Sequence, residues 1–298
     1  MTMPESSTTP LRLPPWLKVT LPADRHFGQT RKLLEDLGLA TVCQSARCPN
    51  IFECFGCGTA TFLLMGRQCT RGCRFCNIGL GMPAPLEADE PARVAEAAVR
   101  LDLATVVMTS VTRDDLPDGG AAHVAAAIRA VRNRRPATRI EVLIPDFQGD
   151  AAALQAVLDA RPDCLNHNVE TVPDCYPRVR PQASYEQSLT LLARAAAQGF
   201  VVKSGMMVGL GETDAQVRAV LEDLARAGVA AATIGQYLPP SRRHMPVARY
   251  VHPDIFKEYA EFGNRLGLET VSGPRVRSSY HAGEVLDKVA GRSGAAAS

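Results

Sequence analysis

The chain predicts an α/β fold, a partial (β/α)6 TIM-like barrel with an N-terminal extension and a C-terminal segment that closes the site. Three observations predict it. From Glu90 onward, short apolar runs such as Ala104-Thr-Val-Val-Met108 and Arg139-Ile-Glu-Val-Leu-Ile144 alternate with segments of helical period. Runs of that kind suit strands buried on both faces of a parallel sheet. The links between them are of turn length, which is the pattern of consecutive βαβ units. Polar residues gather just after the apolar runs, where a parallel barrel carries its functional groups. The 298 residues suffice for one barrel-sized domain or for two ordinary ones.

Each element has its own signal. Residues 1–15 are rich in Ser, Thr and Pro without periodicity and read as a mobile arm, with Trp16 and Leu17 docking where order begins. A helix is predicted over 29–37, stopped by Gly38. Thr61-Phe-Leu-Leu-Met65 is the first strand. The segment 91–101 sets Val94, Ala97, Ala98 and Leu101 at helical spacing behind Pro91, a residue suited to the first helical turn. The alternation continues with strands at 104–108, 139–144, 163–168 (with its loop), 200–208, 230–235 and 268–271. Helices are predicted at 120–131, 151–159, 185–197, 214–227 and 254–266. That makes about six β/α units. The predicted division is 1–58 (arm and cysteine-bearing extension), 59–272 (barrel) and 273–298, with the Gly/Ala/Ser-rich tail after Gly291 fraying.

Composition narrows the function. Hydrophobic residues make up 46% and charged residues 21%, as in a globular protein with a substantial core. A net charge of +2 gives no overall field for nucleic acid or a membrane surface. No apolar run approaches the ~20 residues needed to cross a bilayer, and no secretory signal opens the chain. Nine cysteines therefore read as intracellular thiols for metal binding, with a cytoplasmic monomer expected.

Cys69-Thr-Arg-Gly-Cys73-Arg-Phe-Cys76 is a C-x3-C-x2-C triad following the first strand. Three thiolates are soft ligands suited to an iron–sulfur cluster or zinc, and are one short of the four that either takes. An unfilled position is where a substrate can bind a metal; a structural zinc knuckle closed by another residue uses the same triad. A second triad, Cys43, Cys48 and Cys54, has C-x4-C-x5-C spacing, with Cys57 close behind. Single buried cysteines serve as small hydrophobes, but two spaced triads between residues 43 and 76 exceed any packing need. They indicate two metal centres.

The polar residues after the strands are Thr109, Ser110, Thr112, Arg113, Asp114 and Asp115, then Asp146, then Asn166, His167, Asn168 and Glu170, and finally Gln236. Lys203 and Ser204 interrupt an otherwise apolar strand, and Lys203, inward on a barrel, reads as a site residue. Each alone also suits a helix cap or an exposed loop. Their repeated placement is what points to a site. His167 reads as a satisfied hydrogen-bonding residue without a catalytic role.

With Phe75 just before its last cysteine, the first triad resembles the signature of the radical S-adenosylmethionine enzymes, which implies a barrel of the radical SAM type. Further words resemble the lipoyl synthase family: Arg47-Cys-Pro-Asn50, Gly58-Thr-Ala-Thr-Phe62, Thr109-Ser-Val-Thr-Arg-Asp-Asp-Leu116, Ile144-Pro-Asp-Phe147, Asn166-His-Asn168 with Glu170-Thr171, Pro177-Arg-Val-Arg-Pro181, Gly235-Gln-Tyr237 and Arg277-Ser-Ser-Tyr280. The match runs from about Val42 to Glu284. The resemblance implies two [4Fe-4S] clusters. Cys69, Cys73 and Cys76 would hold the one that cleaves S-adenosylmethionine, with Phe75 near the adenine. Cys43, Cys48 and Cys54 would hold an auxiliary one, whose fourth ligand would be Ser279 rather than Ser278. A serine alkoxide is a poor soft-metal ligand, so that corner is expected to be labile. Thr109, Asn168, Glu170 and Arg180 are the expected cofactor contacts, although a surface ion pair is an equal reading of Arg180. The implied reaction is insertion of sulfur at C6 and C8 of an octanoyl group by radicals from S-adenosylmethionine. A different sulfur-inserting or methylthio-transferring radical enzyme, or a non-enzymatic zinc module, are the rival readings.

The implied partner is an octanoylated lipoyl carrier protein, either a glycine-cleavage H protein or a 2-oxoacid dehydrogenase E2 domain. An electron donor and an iron–sulfur carrier for cluster repair are implied as well. Arg132, Arg134, Arg135, Arg242 and Arg243 form basic clusters expected to meet an acidic carrier. Cys57, Gln182 and Pro239 depart from the family pattern.

Overall fold

The computed structural model describes residues 12–18, 25–46, 48, 50–56 and 61–296. The first eleven residues of the arm, Cys57, the 58/59 boundary, and Arg47, Pro49 and 58–60 of the family-like words lie outside them.

The elements in order are α1 (Arg25–Asp36), β1 (Ala40–Thr41), α2 (Val42–Ser45), α3 (Ile51–Gly56), β2 (Thr61–Leu64), β3 (Gln68–Cys69), β4 (Gly79–Leu80), α4 (Glu90–Arg100), β5 (Thr105–Ser110), α5 (Ala121–Arg134), β6 (Arg139–Leu143) and α6 (Ala151–Asp159). They continue with β7 (Cys164–Asn166), α7 (Tyr176–Val179), α8 (Tyr185–Ala196), β8 (Val202–Val208), α9 (Asp214–Arg226), β9 (Ala231–Gln236), α10 (Pro253–Arg265), β10 (Glu269–Gly273) and α11 (Ala282–Ala296). The predicted alternation holds, with boundaries shifted by a few residues.

One sheet runs in the order β1-β2-β5-β6-β7-β8-β9-β10, parallel throughout except for β1, which pairs antiparallel with β2. Its edge strands β1 and β10 do not pair, so the barrel is open. Register explains why the sequence makes this sheet. Phe62, Met108, Val142, Leu165 and Val202 are aligned across five strands and are all buried. They pack with Val94, Val124, Ile128, Leu154, Leu192 and Val220 of the helices in one core, so this is the outer, helix-covered face. The opposite row is Leu63, Thr109, Leu143, Asn166, Lys203, Ala231 and Glu269. It starts near the carboxyl end of β5 and finishes at the first residues of β9 and β10, the stagger that curves a sheet into a barrel. Alternation of side chains turns this row inward. The lumen is therefore polar while the outside of the sheet is apolar.

Helix ends follow local chemistry. Thr213 and Gln216 form a capping box on α9, Asp150 and Ser184 cap α6 and α8, and Pro253 opens α10. Gly38, at φ +62°, ends α1 in a left-handed turn closed by the Leu39 amide on the Leu34 carbonyl at 2.9 Å. Leu17 is buried, and Trp16 meets His252 edge-on with ring centroids 5.1 Å apart, so this segment docks as predicted.

Two expectations change. The tail after Gly291 does not fray at that residue: α11 continues through it to Ala296. The C-terminal segment also splits between two places. Val285 and Val289 pack on Ala231, and Gly283 lies beside Thr105 and Arg139, so α11 covers the amino ends of the strands. Only the turn before it reaches the cysteines. The reason is apolar spacing: Val285 and Val289 sit one helical turn apart and bury against the strands, a contact invisible in the Gly/Ala-rich composition.

Candidate active site

The first triad lies on a small lobe after β2, in which β3 pairs parallel with β4. Cys69 ends β3, and Cys73 and Cys76 lie in the connecting loop, where the Cys76 amide donates to the Cys73 carbonyl at 3.0 Å. The Arg71 and Thr112 amides donate to Cys69 Sγ at 3.4 and 3.3 Å, and the Ile78 amide to Cys76 Sγ at 3.5 Å. Backbone amides aimed at sulfur are what a thiolate ligand requires, and they tune an iron–sulfur centre.

The loop is pinned to the barrel from several sides. The Arg74 amide donates to the Val179 carbonyl at 2.9 Å, the Gly72 amide to Gln182 Oε1 at 2.8 Å, and His244 Nε2 to the Cys76 carbonyl at 3.1 Å. Arg71, sunk beneath the loop, forks to Asp114 at 2.7 and 2.9 Å and to Asp146 at 2.7 and 2.8 Å. Burial works against its charge, but Asp146 and Asp114 outweigh that and push the Arg71 pKa up. Asp114 and Asp146, predicted as site residues, thus act as anchors of the cysteine loop. Arg71 and Gln182 are site-supporting residues that the sequence reading missed. Only the Asp-after-strand pattern could have hinted at a cationic partner.

Burial raises the Cys76 thiol to about 12, with the charges of Cys73, Cys69 and Glu170 adding to it and the Ile78 amide opposing. Cys73 is raised by burial and by Glu170 and Cys69, while Arg180 pulls it down. The three thiols therefore sit within electrostatic reach of one another and of Arg180 and Glu170.

The second triad is built from α2, α3 and the turn between them. The Cys48 amide donates to the Cys43 carbonyl at 3.1 Å, the Ile51 amide to the Cys48 carbonyl at 3.3 Å, and the Cys54 amide to the Asn50 carbonyl at 3.0 Å. Burial raises Cys43 to about 11, opposed by the Thr61 amide. The Arg277–Tyr280 turn meets this triad. Asn50 Nδ2 donates to the Arg275 carbonyl at 2.9 Å and Tyr280 Oη to Glu53 Oε1 at 2.8 Å, and the Cys48 charge acts on the half-buried Arg277. Ser278 and Ser279 are half-buried, and neither hydroxyl makes a hydrogen bond among the described residues. Asn77 Nδ2 donates to the Ser45 carbonyl at 2.7 Å and joins the two cysteine-bearing segments.

Of the other predicted contacts, Arg180 and Glu170 lie within electrostatic reach of the first triad. Arg180 is buried, not in a surface ion pair: Nη1 donates to the Asn168 carbonyl at 3.0 Å and the Val169 carbonyl at 3.3 Å, and the guanidinium lies 5.3 Å from the Tyr176 ring centroid. Asn168 Nδ2 donates to Glu170 Oε1 at 3.1 Å. Burial raises the Glu170 carboxyl, while Arg180 and Asn168 lower it. Glu170 holds φ at +65°, a costly conformation for a residue with a Cβ, of the kind that strain at functional sites takes. The backbone of β8 clamps it on both sides, through the Gly205 carbonyl at 2.9 Å and the Met207 amide at 2.8 Å. Thr109 Oγ1 donates to the Leu143 carbonyl at 2.8 Å, and Phe75 packs half-buried against the main core.

Lys203 points into the lumen as predicted, but its ammonium is held by Glu141 at 3.1 Å to both oxygens, with both side chains fully buried. Asn166 Nδ2 donates to the same carboxylate at 3.0 Å. Lys203 is therefore a structural ion pair in the barrel interior. His167 is fixed between the Ile144 carbonyl (2.8 Å) and Ser188 (3.0 Å), both ring nitrogens engaged, and burial lowers its pKa to about 4.

The donor set can be tested against iron–sulfur clusters and S-adenosylmethionine. The described cysteines form no disulfide with one another. Among the described residues, no three or more His, Cys, Asp or Glu side chains gather tightly enough for a single metal ion. Asn168 Oδ1 and Arg180 Nε are buried without partners. Native proteins seldom leave such atoms empty, and an amino acid with a ribose offers the complementary groups. The residues fit.

The comparisons agree. The radical SAM superfamily matches residues 63–224, and the N-terminal domain of lipoyl synthase of the radical SAM family matches residues 2–48. The lipoyl synthase of Oleidesulfovibrio alaskensis is 62% identical over 95% of this chain and 97% of its own length. That of Nitratidesulfovibrio vulgaris strain Hildenborough is 59% identical over 95% of each. In fold alone, Streptococcus suis SuiB bound to S-adenosylmethionine superposes with a TM-score of 0.58 at 7% identity, covering 70% of this chain and 48% of that one. Methylornithine synthase (PylB) gives 0.52 at 13% identity, covering 89% and 92%. This chain belongs to the lipoyl synthase family of the radical SAM superfamily.

Proposed function

We infer that Cys69, Cys73 and Cys76 hold the [4Fe-4S] cluster at which S-adenosylmethionine is cleaved, and that Cys43, Cys48 and Cys54 with Ser279 hold the auxiliary one. The family's reaction inserts two sulfur atoms, at C6 and C8 of an octanoyl group carried on a protein lysine. Those C–H bonds have no neighbouring group to acidify them, so acid–base catalysis is of no use and a cofactor carries the chemistry. When bound, the first cluster with S-adenosylmethionine would supply the radical chemistry that removes hydrogen, and the auxiliary cluster would supply the sulfur. One observation carries the residue assignment above all. The Asn77–Ser45 and Tyr280–Glu53 bonds tie both thiol sets and the serine turn into one neighbourhood.

The chain's own residues bind, orient and exclude water. Arg180 Nε is the free donor for the carboxylate of S-adenosylmethionine, and Asn168 Oδ1 and the Glu170 carboxylate accept from its amino group or ribose hydroxyls. Thr109 and Phe75 flank the cofactor, Phe75 at the adenine. Arg71, held by Asp114 and Asp146, fixes the cysteine loop, so the substrate is met by a preset geometry. A serine corner leaves the auxiliary centre open to dismantling, as a sulfur donor requires. The protein substrate is an octanoylated carrier, a glycine-cleavage H protein or an E2 lipoyl domain. An electron donor for the clusters and an iron–sulfur carrier to restore the auxiliary one would be the further partners, with the enzyme as a cytoplasmic monomer. Among the described residues, no helix is long and apolar enough to cross a membrane.

The test is anaerobic reconstitution with iron and sulfide counting, followed by product analysis on octanoylated H protein. About eight irons per chain are expected, the sum of two four-iron clusters, together with a lipoyl product. About four irons, or S-adenosylmethionine cleavage without sulfur insertion, would remove the auxiliary-centre assignment.

A further inference from the structure

The rim around the first triad carries unspent positive charge and exposed apolar side chains that nothing in the reaction uses. Leu80 and Met82, 67% and 77% exposed, are the most exposed large hydrophobic side chains among the described residues. They lie on and just after β4, which pairs with the strand ending in Cys69. The same lobe carries Arg67 and Arg74, and the loop bonded to it carries Arg242 and Arg243, all four exposed and none in an ion pair among the described residues. The Met245 amide on the Arg74 carbonyl at 3.3 Å and His244 on the Cys76 carbonyl at 3.1 Å bring the 242–245 loop to this lobe. No Asp or Glu occurs in 66–86, 175–185 or 237–249. Asp114, which the lobe's own Arg71 reaches, is taken by that arginine. Arg132, Arg134 and Arg135, predicted as carrier contacts, pair instead with Asp163, Glu96 and Asp102.

We propose that the lobe bearing Leu80 and Met82, together with Arg67, Arg74, Arg242 and Arg243, is the docking face for an acidic carrier domain, which it seats so that the acylated lysine enters beside the first triad. The inference rests on the proposed reaction and adds to it the surface that reads the carrier. Charge steers the approach, and the apolar pair supplies the desolvated centre that a specific contact needs.

The experiment compares Met82→Glu and the double variant Arg242→Glu with Arg243→Glu against the native enzyme. Arg100→Glu, exposed at the far end of α4, is the control. Two substrates are used, octanoylated H protein and a short octanoyl-lysine peptide, and H-protein affinity is also titrated directly. Docking predicts a rise of about tenfold or more in Kd and KM for H protein in both variants. Peptide turnover, kcat and the control stay unchanged, and native KM rises with salt. An unchanged Kd for H protein overturns the proposal. So does an equal loss on peptide and protein, which would mean damage to the site. Normal H-protein affinity with slowed cluster transfer from an iron–sulfur carrier would assign the face to that donor instead. If the native enzyme makes no lipoyl group on either substrate, the reaction assignment fails, and the affinity titration still decides the docking face.

Discussion

Asn77 donates its side-chain amide to the Ser45 carbonyl at 2.7 Å, so the residue after Cys76 grips the helix that carries Cys43. Two cysteine sets that are separate in sequence thereby share one wall. On the proposed assignment a radical source and a sulfur source must both reach one acyl chain, and this bond links the segments that would hold them.

Replacing Asn77 with Ala removes that link and costs about 1 kcal/mol, the usual net worth of one hydrogen bond. Sulfur insertion should fall more than S-adenosylmethionine cleavage. The ratio of lipoyl product to 5′-deoxyadenosine measures it, and an unchanged ratio would show that the two loops keep register without it.

The two triads should be separable by composition. Cys73→Ala should retain about four of about eight irons and lose S-adenosylmethionine cleavage. Cys48→Ala should also retain about four, yet still cleave S-adenosylmethionine without forming lipoyl product. Iron analysis with cleavage assays on both variants checks this.

Arg71 sits beneath the first loop between Asp114 and Asp146, and Asp146 is only 1% exposed. Arg71→Met leaves that carboxylate buried without its countercharge, at a cost of about 3–5 kcal/mol. Adding Asp146→Asn should restore part of the loss. Denaturant midpoints of the single and double variants decide it.

The Lys203–Glu141 pair makes a parallel prediction inside the lumen. Lys203→Met alone should destabilise by about 3–5 kcal/mol, and Lys203→Met with Glu141→Gln by clearly less, because no lone charge remains. If the two single losses simply add in the double variant, the pair is not coupled.

The thiols make the metal-free protein sensitive to alkali. Cys43 and Cys76 are raised from 9.0 to about 11 and about 12 by burial, so the folded state keeps protons that the unfolded chain releases. Their contribution to stability is complete below pH 9 and is lost as pH rises toward 11–12. Metal-bound thiolates carry no such proton, so the reconstituted protein should lack this loss. Thermal melts of both forms across that range measure the difference.

Much of the fold was legible because its signals are local. Runs such as Thr105–Ser110 are apolar and β-branched, and Pro91, Asp150, Ser184, Thr213 and Pro253 mark helix starts by their own side chains. The cysteine triads were legible for the same reason, since ligand spacing is written along the chain. α11 was missed because it is held by contacts with β5 and β10 rather than by propensity.

The sequence by itself determined the barrel, both thiol sets and the family they resemble, all of which depend on the order of neighbouring residues. Tertiary structure alone decided the partners. It gave Lys203 to Glu141, set Arg71 between two aspartates, buried Arg180 under the first triad, and left Arg242 and Arg243 unpaired where Arg132, Arg134 and Arg135 were spent. The physical reason is that a charge acts on what lies within a few ångströms in space, whatever the distance along the chain.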